Sequence, residues 1–286
     1  MTLTANEDDV TFQFTSDPSK QWASLTDRET TELLTKWGVD PRQGAFAFYQ
    51  FQFDRPFTRS HIHDFLRSLF NSDAFRAEFR LGDGRGGTST FWGPSVVRQV
   101  DYSSLTSTST NLDLLDDTIC NDDIVRKETG RISGMADVYL PGGVTVGDRL
   151  RGLFMLDPEE HPQLSHPEDY DAVTPEVRNE FLWHVLWRVV AGGAMNQWDD
   201  NFSVYKNVVR DLYRDMISVA RDPNTGELAV QSVALQVHAA KGSDMDVHLF
   251  PREEDDPHRN HSFFYVIVHP ARRSCTVWYN SFWSPF

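Results

Sequence analysis

The chain has 286 residues, 27 Lys+Arg against 42 Asp+Glu, a formal charge of −15 and 13% aromatic residues. That length, with 40% apolar residues, describes a globular chain that buries its own core without disulfides or metal. The acidic balance excludes a phosphate-reading surface of the nucleic-acid type and disfavours an anionic membrane surface.

Only two cysteines, Cys120 and Cys275, fit a reducing compartment. Met1–Asp9 shows neither a basic stretch nor an apolar run of the leader type, so a cytosolic protein is expected.

Val10–Phe14 alternates and predicts a short strand. Thr26-Asp-Arg-Glu29 reads as a capping box that starts a helix. Leu33, Leu34 and Trp37 follow at helical spacing, and Gly38 is its natural terminator. Ala45–Phe53 reads as a strand, and Thr58–Phe70 as a helix with Ile62, Phe65, Leu66 and Leu69 on one face. Gly82–Gly87 and Ser103–Thr110 have loop composition, and 82–94, 103–111 and 241–261 are expected to be loop insertions. Met135–Leu140 predicts a strand and Pro141-Gly-Gly143 a turn, and Asp157–Thr174 is an acidic connector.

From Thr174 the pattern strengthens. Thr174 is placed to cap and Pro175 to open a helix. Phe181, Leu182, Val185, Leu186, Val189 and Val190 give it a broad apolar face, and Gly192-Gly193 interrupts it. Asn201 or Ser203 starts a second helix that runs to about Ala220, with Tyr205, Val208, Val209, Leu212, Met216 and Val219 inward. Asp222–Gly226 then turns the chain into a strand over Leu228–Val237. Phe263–Val268 and Thr276–Phe282 predict two strands around a turn at Pro270-Ala-Arg-Arg273. Without regular βαβ alternation, the expected class is α+β. It is a mixed, mostly antiparallel sheet arrangement packed with a central helical pair at about 175–220. The whole chain, 1–286, is expected as one domain, divisible into an N-terminal lobe at 10–100 and a C-terminal lobe at 112–286.

The chemistry-bearing residues form no known constellation. His61 and His63 lie beside Asp64, His258 and His261 are three apart, and His248 shares an extended face with Asp246. No set supplies three or four ligands at a metal-site spacing, so these read as solvated loop histidines and no metal is expected. Gly82–Gly87 lacks the Gly-Lys-Ser/Thr of a phosphate loop and reads as a turn. No Gly-x-Ser-x-Gly occurs. Cys120 sits beside Asn121-Asp122-Asp123, where acid raises a thiol pKa, and Cys275 reads as a core residue. Asp116-Asp117 and Asp199-Asp200 read as caps or solvated faces. No catalytic residue and no cofactor follow.

Two stretches suit recognition. Glu253, Glu254, Asp255 and Asp256 could meet a basic partner or simply solvate a loop. Trp283 and Phe286, past the last alternating residues, could anchor in a partner's pocket or fold back over their own domain. Gly192, Gly193, Trp198 and Pro270 are candidate structural positions, with Gly192 or Gly193 marking a helix end or a close backbone approach.

Phe181-Leu182 through Gly192-Gly-Ala-Met-Asn-Gln-Trp-Asp-Asp200, then Tyr213-Arg-Asp-Met-Ile-Ser-Val-Ala-Arg-Asp-Pro223, form one distinctive block. Asp122-Asp-Ile-Val-Arg126 with Gly130 is a second, and Phe264-Tyr-Val-Ile-Val-His-Pro-Ala-Arg-Arg273 a third. In this order, with the helix ending at Trp37 and the strand at Gly44–Phe53, they resemble the cilia- and flagella-associated protein 300 family. The resemblance implies a non-catalytic factor for assembly or intraflagellar transport of outer and inner axonemal dynein arms. It implies a place in the cytoplasm and in the cilium or flagellum, in the matrix or on the cytoskeleton. The implied partners are axonemal dynein assembly factors, dynein arm subunits or the intraflagellar transport machinery. A His/carboxylate metalloenzyme and a structural axonemal subunit are the alternatives.

Overall fold

The computed structural model describes residues 10–41, 46–82, 88–90, 95–140, 144–192, 199–223, 225–242, 246–248 and 261–280. Its class is α+β. Seven strands form one sheet in which every pairing is antiparallel. Phe14–Ser16 lies at one edge, followed by Phe46–Phe53, Ser274–Asn280, Phe263–His269 and Val233–Gly242. Val233–Gly242 pairs along one side with Phe263–His269 and then Asp246–His248, and along the other with Val97–Leu105.

Phe263–His269 and Ser274–Asn280 are buried at every position. An antiparallel strand with no polar face must be covered on both sides, and this one is. Phe263, Tyr265 and Trp278 face the helix Phe181–Ala191, with Phe181 rings 5.8 Å from Tyr265 and 6.5 Å from Trp278. Phe264 and Tyr279 face the other way, against Phe70, Phe75 and Phe79 of the helices Ile62–Asn71 and Asp73–Glu78 and the residue that follows. The main core cluster draws on residues from Phe12 to Tyr279. A second small cluster holds Val138, Val144, Val146, Met155, Leu156 and Ala191.

The helix Ile62–Asn71 carries a polar stripe at Asp64, Ser68 and Asn71 beside its apolar one. Asp64 accepts from Val10 N at 3.4 Å and Ser68 from Phe12 N at 3.1 Å. Asn71 accepts from Val97 N at 2.8 Å and donates to Val97 O at 2.7 Å. One helix thus supplies partners to backbone at both edges of the sheet, which need cover. An open groove of about 660 Å³ lies beside it, lined among others by Phe12, Phe14, Arg67, Asn71, Val96 and Arg98. Asn71→Ala should strand both Val97 groups, which are buried, and lower stability by about 2 kcal/mol in urea unfolding. A loss below about 0.5 kcal/mol would mean that water replaces the amide without cost.

The structure corrects several expectations. Thr26 does not cap the first long helix. It ends the short helix Ala23–Thr26, and Asp27 caps Arg28–Lys36 by accepting from Thr30 N at 2.8 Å. The short Asp27 carboxylate reaches the third amide without the box that Thr26 would need. The helix expected from Thr174 is broken in two, Pro175–Arg178 and Phe181–Ala191. The second central helix stops at Met216 rather than near Ala220, and Val219–Arg221 pairs with Leu228–Val230 as a hairpin. The expected strand Leu228–Val237 therefore divides between that hairpin and Val233–Gly242.

Ser103 and Ser104 are not loop residues but the end of the edge strand Val97–Leu105. An edge strand with one wet face needs few apolar residues, which is why its composition reads as loop. Asp246–His248 likewise pairs as a strand inside the expected 241–261 loop. Gly82 and Thr88 close a short hairpin in the expected 82–94 insertion, while residues 83–87 and 91–94 lie outside the described residues. The turn expected at Pro141–Gly143 also lies outside them. No described helix is long and apolar enough to cross a membrane.

Candidate functional site

The helix Phe181–Ala191 is the hub of the molecule: every residue but Trp187 is buried. Its start is held from outside its own sequence. Thr106 N donates to Asn179 O at 3.0 Å and Phe181 N to Thr106 O at 2.8 Å, as a parallel bridge between Thr106 and Glu180. These bonds hold Glu180 extended, at φ −78° and ψ 132°, and so split the helix expected from Thr174. The Glu180 carboxylate accepts from Thr108 N, Ser109 N and the Thr108 hydroxyl.

The end of the helix is a close approach. Gly192 has φ +58° and ψ −145°, and a Cβ built there would lie 2.7 Å from the Trp37 carbonyl oxygen. Its own carbonyl accepts from His261 Nδ1 at 2.8 Å. Trp37 reaches on to Asp199: its Nε1 donates to Oδ2 at 2.8 Å, and Lys36 Nζ meets Oδ1 at 2.6 Å. The Trp37 and Tyr205 rings stack at 4.7 Å, and Tyr205 OH accepts from Asp199 N at 3.0 Å. The N-terminal helix is thus clamped between the two central helices. Asp199→Ala should cost about 1–2 kcal/mol by leaving the Trp37 indole N–H without its acceptor, read from the denaturant midpoint. Asp199→Asn should recover part of that loss, and equal losses for both would place the effect elsewhere.

Two buried polar networks flank this junction. Arg188 Nε donates to Tyr265 OH at 3.0 Å, and His184 Nδ1 lies 3.0 Å from the same oxygen. The Arg188 guanidinium sits 3.8 Å from the Trp187 ring centre. Burial, and then the Arg188 charge, push the His184 pKa down to about 3. Across the sheet, Ser232 Oγ lies 3.0 Å from His269 Nδ1, and His269 Nε2 3.3 Å from Thr276 Oγ1, which donates to Gln50. A serine beside a histidine is the geometry of a nucleophile and base. Here the third member is a threonine hydroxyl rather than a carboxylate, both partners are buried, and burial lowers the His269 pKa to about 4. Ser232 and His269 thus tie the start of Val233–Gly242 to Thr276 and Gln50 through a buried hydrogen-bond chain.

The two thiols are both driven up in pKa. For Cys120 burial leads, Asp116 one helical turn back adds to it, and Asp122, two residues on, adds a smaller share. For Cys275 burial alone does so. Asp116 and Asp199 are not merely solvated: Asp116 pairs with Lys206 and Asp199 with Lys36.

Of the residues singled out from the sequence, Gly192 is where a backbone approach was expected. Pro270 opens the 270–272 turn, which closes on Arg273 in the left-handed region. Gly193, Trp198, Glu253, Glu254, Asp255, Asp256, Trp283 and Phe286 lie outside the described residues, as does His258. His261 is no solvated loop residue but 1% exposed, because its ring fills the space beside Gly192. Among the described residues no three His, Cys, Asp or Glu side chains converge as a metal site. Sequence reasoning missed Glu180, Trp37 as the partner of Asp199, and Thr106–Ser109. The one signal for Glu180 was its place as the last charged residue before the apolar run that begins at Phe181.

A family model described as cilia- and flagella-associated protein 300 matches residues 11–280. A protein of that description from Chlamydomonas reinhardtii is 24% identical over 260 residues, covering 91% of this chain and 94% of its own. Another from Paramecium tetraurelia is 24% identical over 253 residues, covering 88% and 87%. No solved structure matches. With a match running from the first edge strand to the last central strand, the chain belongs to the cilia- and flagella-associated protein 300 family.

Proposed function

We propose that, beyond the association with cilia and flagella that the family gives, the chain is a non-catalytic cytoplasmic factor for assembly or intraflagellar transport of outer and inner axonemal dynein arms. The match over residues 11–280, in one order and with the packed scaffold intact, is the observation that carries this reading. Its partners are dynein arm subunits, axonemal dynein assembly factors or transport machinery.

Removing the protein from a motile ciliated cell should reduce both rows of dynein arms in axonemal cross-sections. Arms of normal number would overturn the proposal. Fractionation separates it from a resident axonemal subunit: the factor stays in the cell body and soluble matrix, whereas a subunit remains in detergent-washed axonemes. Affinity purification from cells regrowing cilia then tells assembly factors from transport proteins.

A further inference from the structure

Residues Thr106–Ser109 lie across the start of the central helix as a strap. Their anchor is Glu180, a carboxylate 4% exposed overall. It accepts Thr108 N at 2.8 Å, Ser109 N at 3.1 Å and Thr108 Oγ1 at 3.2 Å. Those donors are all neutral, and no lysine, arginine or histidine among the described residues pairs with it. Farther along, Tyr213 OH donates to Ser109 O at 2.9 Å. Thr108 is nevertheless an exposed residue, so its hydroxyl sits between solvent and a buried negative charge. The stretch Ser103–Thr110 has seven hydroxyl residues in eight, and the first carboxylate after Thr108, Asp113, comes five positions on.

We infer that Thr108 is a phosphate-acceptor site and that its phosphorylation unlatches the strap. In the transfer, Thr108 Oγ1 attacks the γ-phosphorus of a nucleoside triphosphate held by a protein kinase. The new O–P bond replaces the bond from that phosphorus to the β-phosphate oxygen. The nucleoside diphosphate leaves, and the hydroxyl proton passes to the kinase's base. The product loses the one hydroxyl donor to Glu180 and gains nearly two negative charges beside it. Like charges about 4 Å apart in a half-buried place disfavour the latched state by ~100-fold or more. An open strap bares Leu105, Phe181 and Tyr213, which are at most 7% exposed when it is shut. A surface modification is thereby tied to access to the hub helix.

The full chain is incubated with a panel of Ser/Thr kinases and ATP, and the phosphate is mapped by peptide mass. Phosphate on Thr108 is expected. Peptide amides over 106–109 and at Phe181 should then exchange with deuterium about tenfold faster or more. Thr108→Glu should reproduce this, and Thr108→Val should change exchange by less than about threefold. Glu180→Gln added to Thr108→Glu should restore slow exchange, since only a clash of charges is then removed. Phosphate only on neighbouring hydroxyls, equal effects of Val and Glu, or no rescue by Glu180→Gln would each overturn the inference. Phosphorylation of the folded wild-type protein decides the matter even if Thr108→Glu fails to fold.

Discussion

Gly192→Ala is expected to lose at least about 4 kcal/mol of stability. Two independent terms add. The dihedrals φ +58° and ψ −145° lie close to a region that only glycine occupies at no cost, worth about 1–3 kcal/mol for any other residue. The new methyl would also stand 2.7 Å from the Trp37 carbonyl oxygen. That oxygen is backbone at the end of a packed helix, beside a ring pinned by Asp199 and Tyr205, so it cannot swing away as a side chain would. Relief requires the N-terminal helix to move off the central pair. Against a total of about 5–15 kcal/mol, such a loss leaves a marginal fold. At about 2 °C per kcal/mol for a chain of this size, the melting temperature should fall by roughly 8 °C. Gly226→Ala is the control: φ is +72° there but nothing lies within 4 Å, so the cost should be about 1 kcal/mol. Equal losses at both sites would show that the approach to Trp37 contributes nothing. Unchanged melting of Gly192→Ala with lost partner binding would make this end of the helix a binding surface.

Stability should fall steeply between pH 6.5 and 5. His184 and His269 have folded pKa values of about 3 and about 4, below the ordinary value of 6.5, in each case first because burial penalises the charged ring. Neighbouring charges add to this: Arg188 beside His184, and Arg272 and Lys20 beside His269. Above pH 6.5 both rings are neutral whether the chain is folded or not, and they contribute nothing to the pH dependence. Below it the unfolded chain takes up protons that the folded chain refuses. The loss continues down to about pH 4 for His269 and about pH 3 for His184. At pH 5 it amounts to roughly 2 kcal/mol for each ring. Asp148, whose carboxyl is raised by burial, opposes this, because its protonation favours the folded state as pH falls. Urea midpoints at pH 7, 6 and 5 for the wild type, His184→Gln and His269→Asn isolate the two rings. Each variant should flatten the curve by about its own share. Curves parallel to wild type would show that the rings accept protons in the folded state.

Much of the scaffold was legible from the sequence because it depends on local rules. The periodicity of Phe181–Val190 and of Tyr205–Met216 marks two helices, and the apolar run Phe263–Val268 marks a strand. Gly38 ends its helix at φ +77°, as its place after Trp37 implies. Pro270-Ala-Arg-Arg273 turns between the two central strands. These outcomes follow from side-chain spacing and from single residues whose backbone preference is strong.

What only the tertiary structure decided is where one segment completes another. Whether residues 174–191 make one helix or two depends on Thr106, some 70 positions away, which takes the Asn179 carbonyl and the Phe181 amide out of helical bonding. Whether Ser103-Ser104 is loop or strand depends on the open side of Val233–Gly242, since backbone pairing is blind to side-chain polarity. His261 is buried because Gly192 leaves room and a carbonyl for it. Gly192 itself announced a helix end or a close approach, but only the fold names the Trp37 carbonyl as what approaches. The residues from Thr174 onward thus determined a packed scaffold on their own. The bonds that lock its two ends come from Trp37 and Thr106, because the helix leaves backbone groups at its ends that its own sequence does not satisfy.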